Sequence, residues 1–197
     1  MADENIKRLD RLVSELLDYS RIEKGAVHLI KDNHDICSIV NNILTSMKEQ
    51  GNLKQLKITS HFQKEPFICC IDKDKMTQVF TNLIYNAVKF TPEGGKIDIY
   101  IKHLEIEDLI QVTVEDTGIG IDKDDIPKLF KQFVQINRIE GSGSKGTGLG
   151  LAIVKGIITA HEGTIHIEST LNQGSKFIFT LPYKGEKSDG KKNINHR

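Results

Sequence analysis

Residues 81–120 read TNLIYNAVKFTPEGGKIDIYIKHLEIEDLIQVTVEDTGIG. The first ten close a helix expected over Lys73–Phe90, where apolar positions recur every three or four residues. Thr91, Pro92, Gly94 and Gly95 break it, since proline cannot continue a helix and glycine tolerates a turn. Two runs then alternate, KIDIYIKHL (96–104) and LIQVTVED (109–116), with the period of strands buried on one face. A hairpin of strands following a long helix indicates an α+β chain.

The flanking segments fit that class. Upstream lie a strand-like AVHLIKD (26–32), a helix over 36–50, and two strand-like runs, LKITSHF (56–62) and PFICCID (66–72). Downstream come a short helix over 124–133, the flexible run GSGSKG (141–146), and a helix over 149–160 ended by Gly163. Two strands, TIHIEST (164–170) and SKFIFTL (175–181), flank turn residues at 172–174, and a polar tail begins at Lys184. The expected architecture is a two-layer α+β sandwich, a mixed sheet covered on one face by three helices.

Charge and composition narrow the function. The 27 Lys and Arg balance the 27 Asp and Glu, so global charge does not hold the protein to nucleic acid or anionic lipid. Hydrophobic residues make up 38%, roughly 44% once glycine is counted and tyrosine left out, an ordinary globular figure. At 197 residues the chain suits one domain plus an appendage, and a domain of about 150 residues buries about 70% of its unfolded surface without staples. No apolar run approaches the ~20 residues of a spanning helix, and MADENIKRLD lacks a signal-peptide core, so a cytoplasmic domain is expected. Cys37, Cys69 and Cys70 are odd in number and lack C-x-x-C spacing, which reads as reduced packing residues, with Cys69 and Cys70 on opposite faces of a strand.

The first two dozen residues stand apart. Ile6, Leu9, Val13 and Leu16 recur at alternating spacings of three and four, Leu12 and Leu17 widen the stripe, and Gly25 ends it. This amphipathic helix either packs on its own domain or forms half of an intermolecular bundle.

Four segments concentrate unusual residues. On the long helix, Asn82 and Asn86 share a face, with Lys89 a turn further on. Asparagine is a poor helix former, and its carbonyl is a hard oxygen suited to Mg²⁺ carrying phosphates; helix–helix hydrogen bonds are the plainer reading. In VEDTGIGI, Asp116 closes a strand where Gly118 and Gly120 let backbone approach a flat ligand, and a carboxylate there can accept from an exocyclic amine. A tight turn would use the same residues. IPKLFKQFVQ is followed by GSGSKGTGLGLAIVK, whose Gly146, Gly148 and Gly150 run into a helix and can offer its uncapped N–H groups to phosphate. Gly141–Gly146 spells G-x-G-x-x-G without a preceding strand, and Gly146 is followed by Thr147 rather than Lys, so neither the dinucleotide nor the Walker pattern holds.

Taken in order, these segments resemble the ATP-binding domain of bacterial two-component sensor histidine kinases, of the GHKL (Bergerat-fold, HATPase) superfamily. NLIYNAVKFTP is similar to the family's N box, DTGIGI to its first glycine box, LFKQFVQ to its phenylalanine box and GTGLGLAIVKGI to its second glycine box. HEGTIHIEST and GSKFIFTLP resemble its closing strands. The resemblance covers 25–183 as the ATP-binding domain, leaves 184–197 as a flexible tail, and likens RLDRLVSELLDYSRIEKG to the second helix of the preceding dimerisation domain, placing 1–24 there.

The resemblance implies roles. Asn86 would ligate Mg²⁺ and act in catalysis with Lys89, a phosphate contact, while Asn82 supports the same box. Asp116 would accept from adenine, with Gly118, Gly120 and Ile121 forming the base pocket. Phe130 and Phe133 would anchor a lid over 135–145, and Lys145, Gly146, Thr147, Gly148, Leu149 and Gly150 would hold the phosphates. ATP and Mg²⁺ are the implied substrate and cofactor, and γ-phosphoryl transfer to histidine the implied reaction. The family's acceptor setting, His-acidic-x-basic-x-x-Pro, surrounds none of the seven histidines; His34 and His161 precede acidic residues but read as capping or packing groups. The expectation is therefore a piece of a longer kinase, lacking autophosphorylation, whose partners are the acceptor helix of the parent chain or its dimer mate and a response regulator receiver domain. The parent is expected to be a homodimer, with or without a membrane anchor; nucleic acid is not an expected partner. A nonenzymatic ATP-responsive GHKL module and a GHKL serine kinase are the alternatives.

Overall fold

A computed structural model describes residues 2–25, 27–49, 55–63, 65–135 and 147–183. Helix α1 (Ala2–Glu23) is followed by β1 (Asp32–Asp35), α2 (Ile36–Glu49), β2 (Lys57–Phe62), β3 (Ile68–Ile71) and α3 (Lys73–Phe90). Then come β4 (Lys96–Leu104), β5 (Leu109–Asp116), a 3₁₀ turn (Ile126–Lys128), α4 (Gly150–Ala160), β6 (Thr164–Thr170) and β7 (Gly174–Pro182). Five strands form a mixed sheet in the order β2-β4-β5-β7-β6, with β2 parallel to β4 and the other neighbours antiparallel. β1 and β3 make a separate antiparallel pair.

Alternation in the strands produces the core. Ile97, Ile99 and Ile101 of β4, Val112 and Val114 of β5 and Phe179 of β7 are buried beneath Val79, Phe80 and Leu83 of α3 and Ile153 and Ile157 of α4. The Phe80 ring meets Phe179 edge to face, 5.7 Å between centroids. The other sheet face is polar, with Lys176 paired to Glu115 at 3.1 Å. The α+β sandwich expected from the sequence is the observed fold.

Three local expectations need correction. Of the strand expected over 26–32, residues 27–31 are not in a strand: Ile30 N donates to the Asp72 carboxylate at 2.9 Å, so its backbone group serves a side chain rather than a ladder. The neighbouring strand is instead Asp32–Asp35, paired with β3. Over 124–133 only the 3₁₀ turn appears; Pro127 lies in its first positions, and Phe133, at φ +56°, is incompatible with a continuing right-handed helix. Finally, Cys37 and Cys69 are buried but Cys70 is exposed, so the packing role holds for two of the three.

Helix α1 presents two different faces. Leu9, Val13, Leu16 and Leu17 point to solvent, each at least half exposed. Its polar side meets the rest of the molecule: Asp18 accepts from Lys75 Nζ at 3.0 Å and Gln78 Nε2 at 2.9 Å, and Ile22 packs where Gly156 of α4 leaves no room for a Cβ. The amphipathic stripe is therefore not what attaches α1 to its own domain.

Candidate functional site

Asp72 starts α3 by accepting from Lys75 N at 3.0 Å, and the helix then carries Asn82, Asn86 and Lys89 along one half-exposed face. Asn82 Nδ2 donates to Gln78 O at 3.1 Å, while its Oδ1 faces α4: a Cβ on Gly150 would stand 3.0 Å from it. Lys89 Nζ lies 5.2 Å from the centroid of the Phe90 ring.

β5 delivers Asp116 to the end of that same face. A Cβ on Gly118 would fall 2.6 Å from Phe90 O, and Ile119 N donates to that carbonyl at 3.2 Å, so the turn after β5 is fastened to the last turn of α3. The Asp116 carboxylate is 6% exposed and accepts from Gly118 N at 2.8 Å and from the Ser175 amide. Burial pushes its carboxyl up to about 6, a shift the two amide bonds oppose and neighbouring Glu115 reinforces. Gly120, at φ +64°, backs onto the β6–β7 turn so closely that a Cβ would lie 1.9 Å from Thr170 O. Ile121 N is held there by Ser169 Oγ at 2.8 Å.

The third wall begins with Phe130 and Phe133. Lys155 Nζ of α4 lies 5.6 Å from the Phe130 ring centroid, whereas Phe133 is exposed. Gly148, at φ +76°, sits against the Phe133 backbone, where a Cβ would be 2.8 Å from Cα. Thr147 Oγ1 accepts from Leu149 N at 3.2 Å and donates to Glu15 of α1. Leu149 is buried and caps α4 without a side-chain hydrogen bond, so the cap residue itself offers the first amides of α4 no acceptor. They and the positive end of the helix dipole favour an anion.

Close contacts join Gly150 to Asn82, Gly118 to Phe90, Gly120 to Thr170 and Gly148 to Phe133, so both the β5 end and the α4 start meet α3, with Asn86 and Lys89 on the α3 face between Asn82 and Phe90. Lys145, Gly146 and positions 136–144 of the expected lid lie outside the described residues. Among the described residues no group of three or more His, Cys, Asp or Glu could hold a metal ion. A single amide oxygen such as Asn86 Oδ1 fits Mg²⁺ brought in on phosphates, since that ion keeps several waters and needs few protein ligands. Sequence reasoning missed Ser175 within the site and Glu15 of α1 at its border, which touches Thr147 from outside it. Ser175 acts through its backbone amide, which no residue type announces, whereas Glu15 was visible as a carboxylate within the α1 heptads.

The sequence profile of the family described as "Histidine kinase-, DNA gyrase B-, and HSP90-like ATPase" matches residues 71–185, which take in every residue of this site. The chain belongs to this ATPase family. Within it, the chain is 35% identical to "Sensor histidine kinase WalK" of Bacillus subtilis (strain 168) over 93% of its own length, and 35% identical to "Sensor protein SrrB" of Staphylococcus aureus over 89%. It spans 30% of the length of each. The crystal structure of full-length ShkA in complex with AMPPNP superposes with a TM-score of 0.80 at 28% identity, covering 91% of this chain and 37% of that one. This ATPase unit is similar to the catalytic domain of histidine kinase ThkA, with a TM-score of 0.68 at 26% identity over 78% of this chain and 96% of that one. No helix among its described residues is long and apolar enough to cross a membrane.

Proposed function

We propose that the site binds ATP with Mg²⁺ and that the chain serves a sensor histidine kinase by presenting the γ-phosphoryl to a histidine on a separate helix. The carrying observation is Asp116: a carboxylate buried at a strand end, beside glycines that let the backbone turn close against Phe90 and Thr170, with the start of α4 packed on Asn82 of the same α3 helix. Its free acceptor capacity suits the exocyclic amine of adenine. Asn82 supports the α3 face, Gly118, Gly120 and Ile121 floor the base pocket, and Phe130 and Phe133 anchor a lid over 135–145. Thr147, Gly148, Leu149 and Gly150, with Lys145 and Gly146, surround the phosphates, and Lys89 adds a positive charge. Mg²⁺, held by Asn86, would supply charge neutralisation on the phosphate oxygens.

Transfer then depends on positioning and electrostatics: a neutral imidazole nitrogen attacks phosphorus in line, the bond to ADP breaks, and the imidazole proton passes to a base beside the acceptor. None of the seven histidines stands in the acceptor setting, so the acceptor belongs to another helix. We assign α1 and its flank (1–24) to the dimerisation domain, because its heptad residues Leu9, Val13 and Leu16 are left uncovered, and a homodimer of the parent would cover them. A response regulator receiver domain is the onward partner.

Incubating the protein with γ-labelled ATP, Mg²⁺ and a separately produced dimerisation domain carrying the cognate acceptor helix tests this reading. Acid-labile, alkali-stable label on that domain is the expected result. An unlabelled acceptor, or acid-stable label on serine, would contradict it.

A further inference from the structure

At the end of α4 remote from the nucleotide site lies a fully enclosed polar contact. His161, the C-cap of α4, is 2% exposed. Its Nδ1 is 2.9 Å from Ile157 O, and its Nε2 is 3.0 Å from Asp72 N at the start of α3. A carbonyl oxygen can only accept and an amide N–H can only donate, so Nδ1 carries the proton and Nε2 is bare. The imidazole is therefore neutral, in one tautomer, and satisfies a buried amide that nothing apolar could satisfy.

The position matters because of what lies at the opposite end. Asp72 and Asn82 are ten residues apart along α3, about 15 Å of helix; Gly150 and His161 are eleven apart, about 16 Å. The helices run antiparallel, and these two spans match, with Gly150 against Asn82 at one end and His161 against Asp72 at the other. Between the ends the α4 face consists of Ile153, Val154 and Ile157. Apolar contacts of this kind tolerate small axial shifts through repacking, whereas a hydrogen bond to a single amide does not. The hub is anchored further: Asp72 accepts from Ile30 N at 2.9 Å, and Lys31 pairs with Glu162 at 3.4 Å.

We propose that His161 is a positioning residue for the nucleotide site: its hydrogen bond to Asp72 N sets the register of α4 along α3, and with it the distance from the glycine-rich entry of α4 to the asparagine face of α3. The inference rests on the reading of that site as one for ATP. It predicts a division between ligand parts. The base contacts on Asp116 belong to β5 and do not depend on where α4 sits, whereas the phosphate contacts bridge α3 and α4.

The test compares ATP·Mg²⁺ with adenosine by calorimetry in the wild type, His161→Phe and His161→Gln, with hydrogen exchange measured on the same samples. Phe keeps the ring volume and removes the acceptor; Gln can offer an oxygen near the Nε2 position. The expected result is ATP affinity on the order of tenfold weaker in His161→Phe, adenosine affinity unchanged, and faster exchange at the first turn of α4, with His161→Gln recovering much of the loss. Equal weakening of ATP and adenosine would make His161 merely structural and overturn the proposal, as would unchanged ATP binding in folded His161→Phe or identical behaviour of the two variants. If the wild type binds neither ligand, the ATP reading fails by itself, and exchange decides the register claim. Loosening of the α4 start in His161→Phe but not His161→Gln would uphold the claim, and unchanged protection would overturn it.

Discussion

Asp116 concentrates the energetics of the site in one group. Its carboxyl, raised by burial to about 6, is ionised at neutral pH at a cost the fold must absorb. Because the folded value lies above the unfolded one, the penalty is full above pH 6 and is relieved as pH falls through 6 toward 4, a difference on the order of 3 kcal/mol. The ionised form is also the better acceptor for an adenine amine. Nucleotide affinity is therefore expected to rise between pH 5 and 7.5 while Asp116 reduces the intrinsic stability of the unliganded protein over that range; calorimetric titrations that show no dependence on pH would contradict this. Gly120 supplies a second residue-scale prediction. Gly120→Ala would suffer both a left-handed backbone and a Cβ 1.9 Å from Thr170 O, whereas Gly94→Ala, at φ +76° with nothing within 4 Å, suffers only the first. Thermal unfolding should show about 1 kcal/mol lost for Gly94→Ala and clearly more for Gly120→Ala; equal losses would mean that the Thr170 contact yields.

Among the elements, α1 is attached by polar contacts that local changes can loosen. Burial by itself would raise the Asp18 carboxyl, but hydrogen bonds from Gln78 and Lys75 outweigh it and hold the group below the usual carboxylate range. That contribution is present above the unfolded value and is lost as pH falls through the lowered folded one. Asp18→Ala should cost about 1 kcal/mol or less, because the pair is partly solvated, and hydrogen exchange should speed up in α1 with α3 unaffected. Joint loosening of α1 and α3 would refute the view that α1 is separately held. Legibility varied with how local each cause was. β4, β5, β6 and α3 follow periodicities of two and 3.6 with breakers at their ends, and all four were readable to the residue. The segment at 26–32 alternates as well as a strand does, but its fate depends on Asp72, some forty positions away. The 124–133 stretch is rich in helix formers, yet Pro127 and the docking of Phe133 against Gly148 override them. His161 was readable as a cap, but not as the partner of Asp72, which only the antiparallel pairing of α3 and α4 brings near.

Across the whole molecule, the site gathers residues from 82 to 175 by closing α3, the β5 end, the β6–β7 turn and the α4 start onto one sheet. Its motifs were visible one at a time in the sequence, and their order identified them jointly; their convergence, including the silent Ser175 amide, came only with the fold. A net charge of zero excludes global attraction to a polyanion, so recognition of a triphosphate has to be local: helix amides, Lys89 and a metal on Asn86. The account stands most directly on calorimetric titration of ATP with Mg²⁺ into the wild type and Asp116→Asn at pH 7.5. It predicts saturable binding by the wild type and at least tenfold weaker binding by Asp116→Asn, the replaced acceptor corresponding to about 1.4 kcal/mol or more. No binding by the wild type, or equal binding by the two proteins, would contradict it.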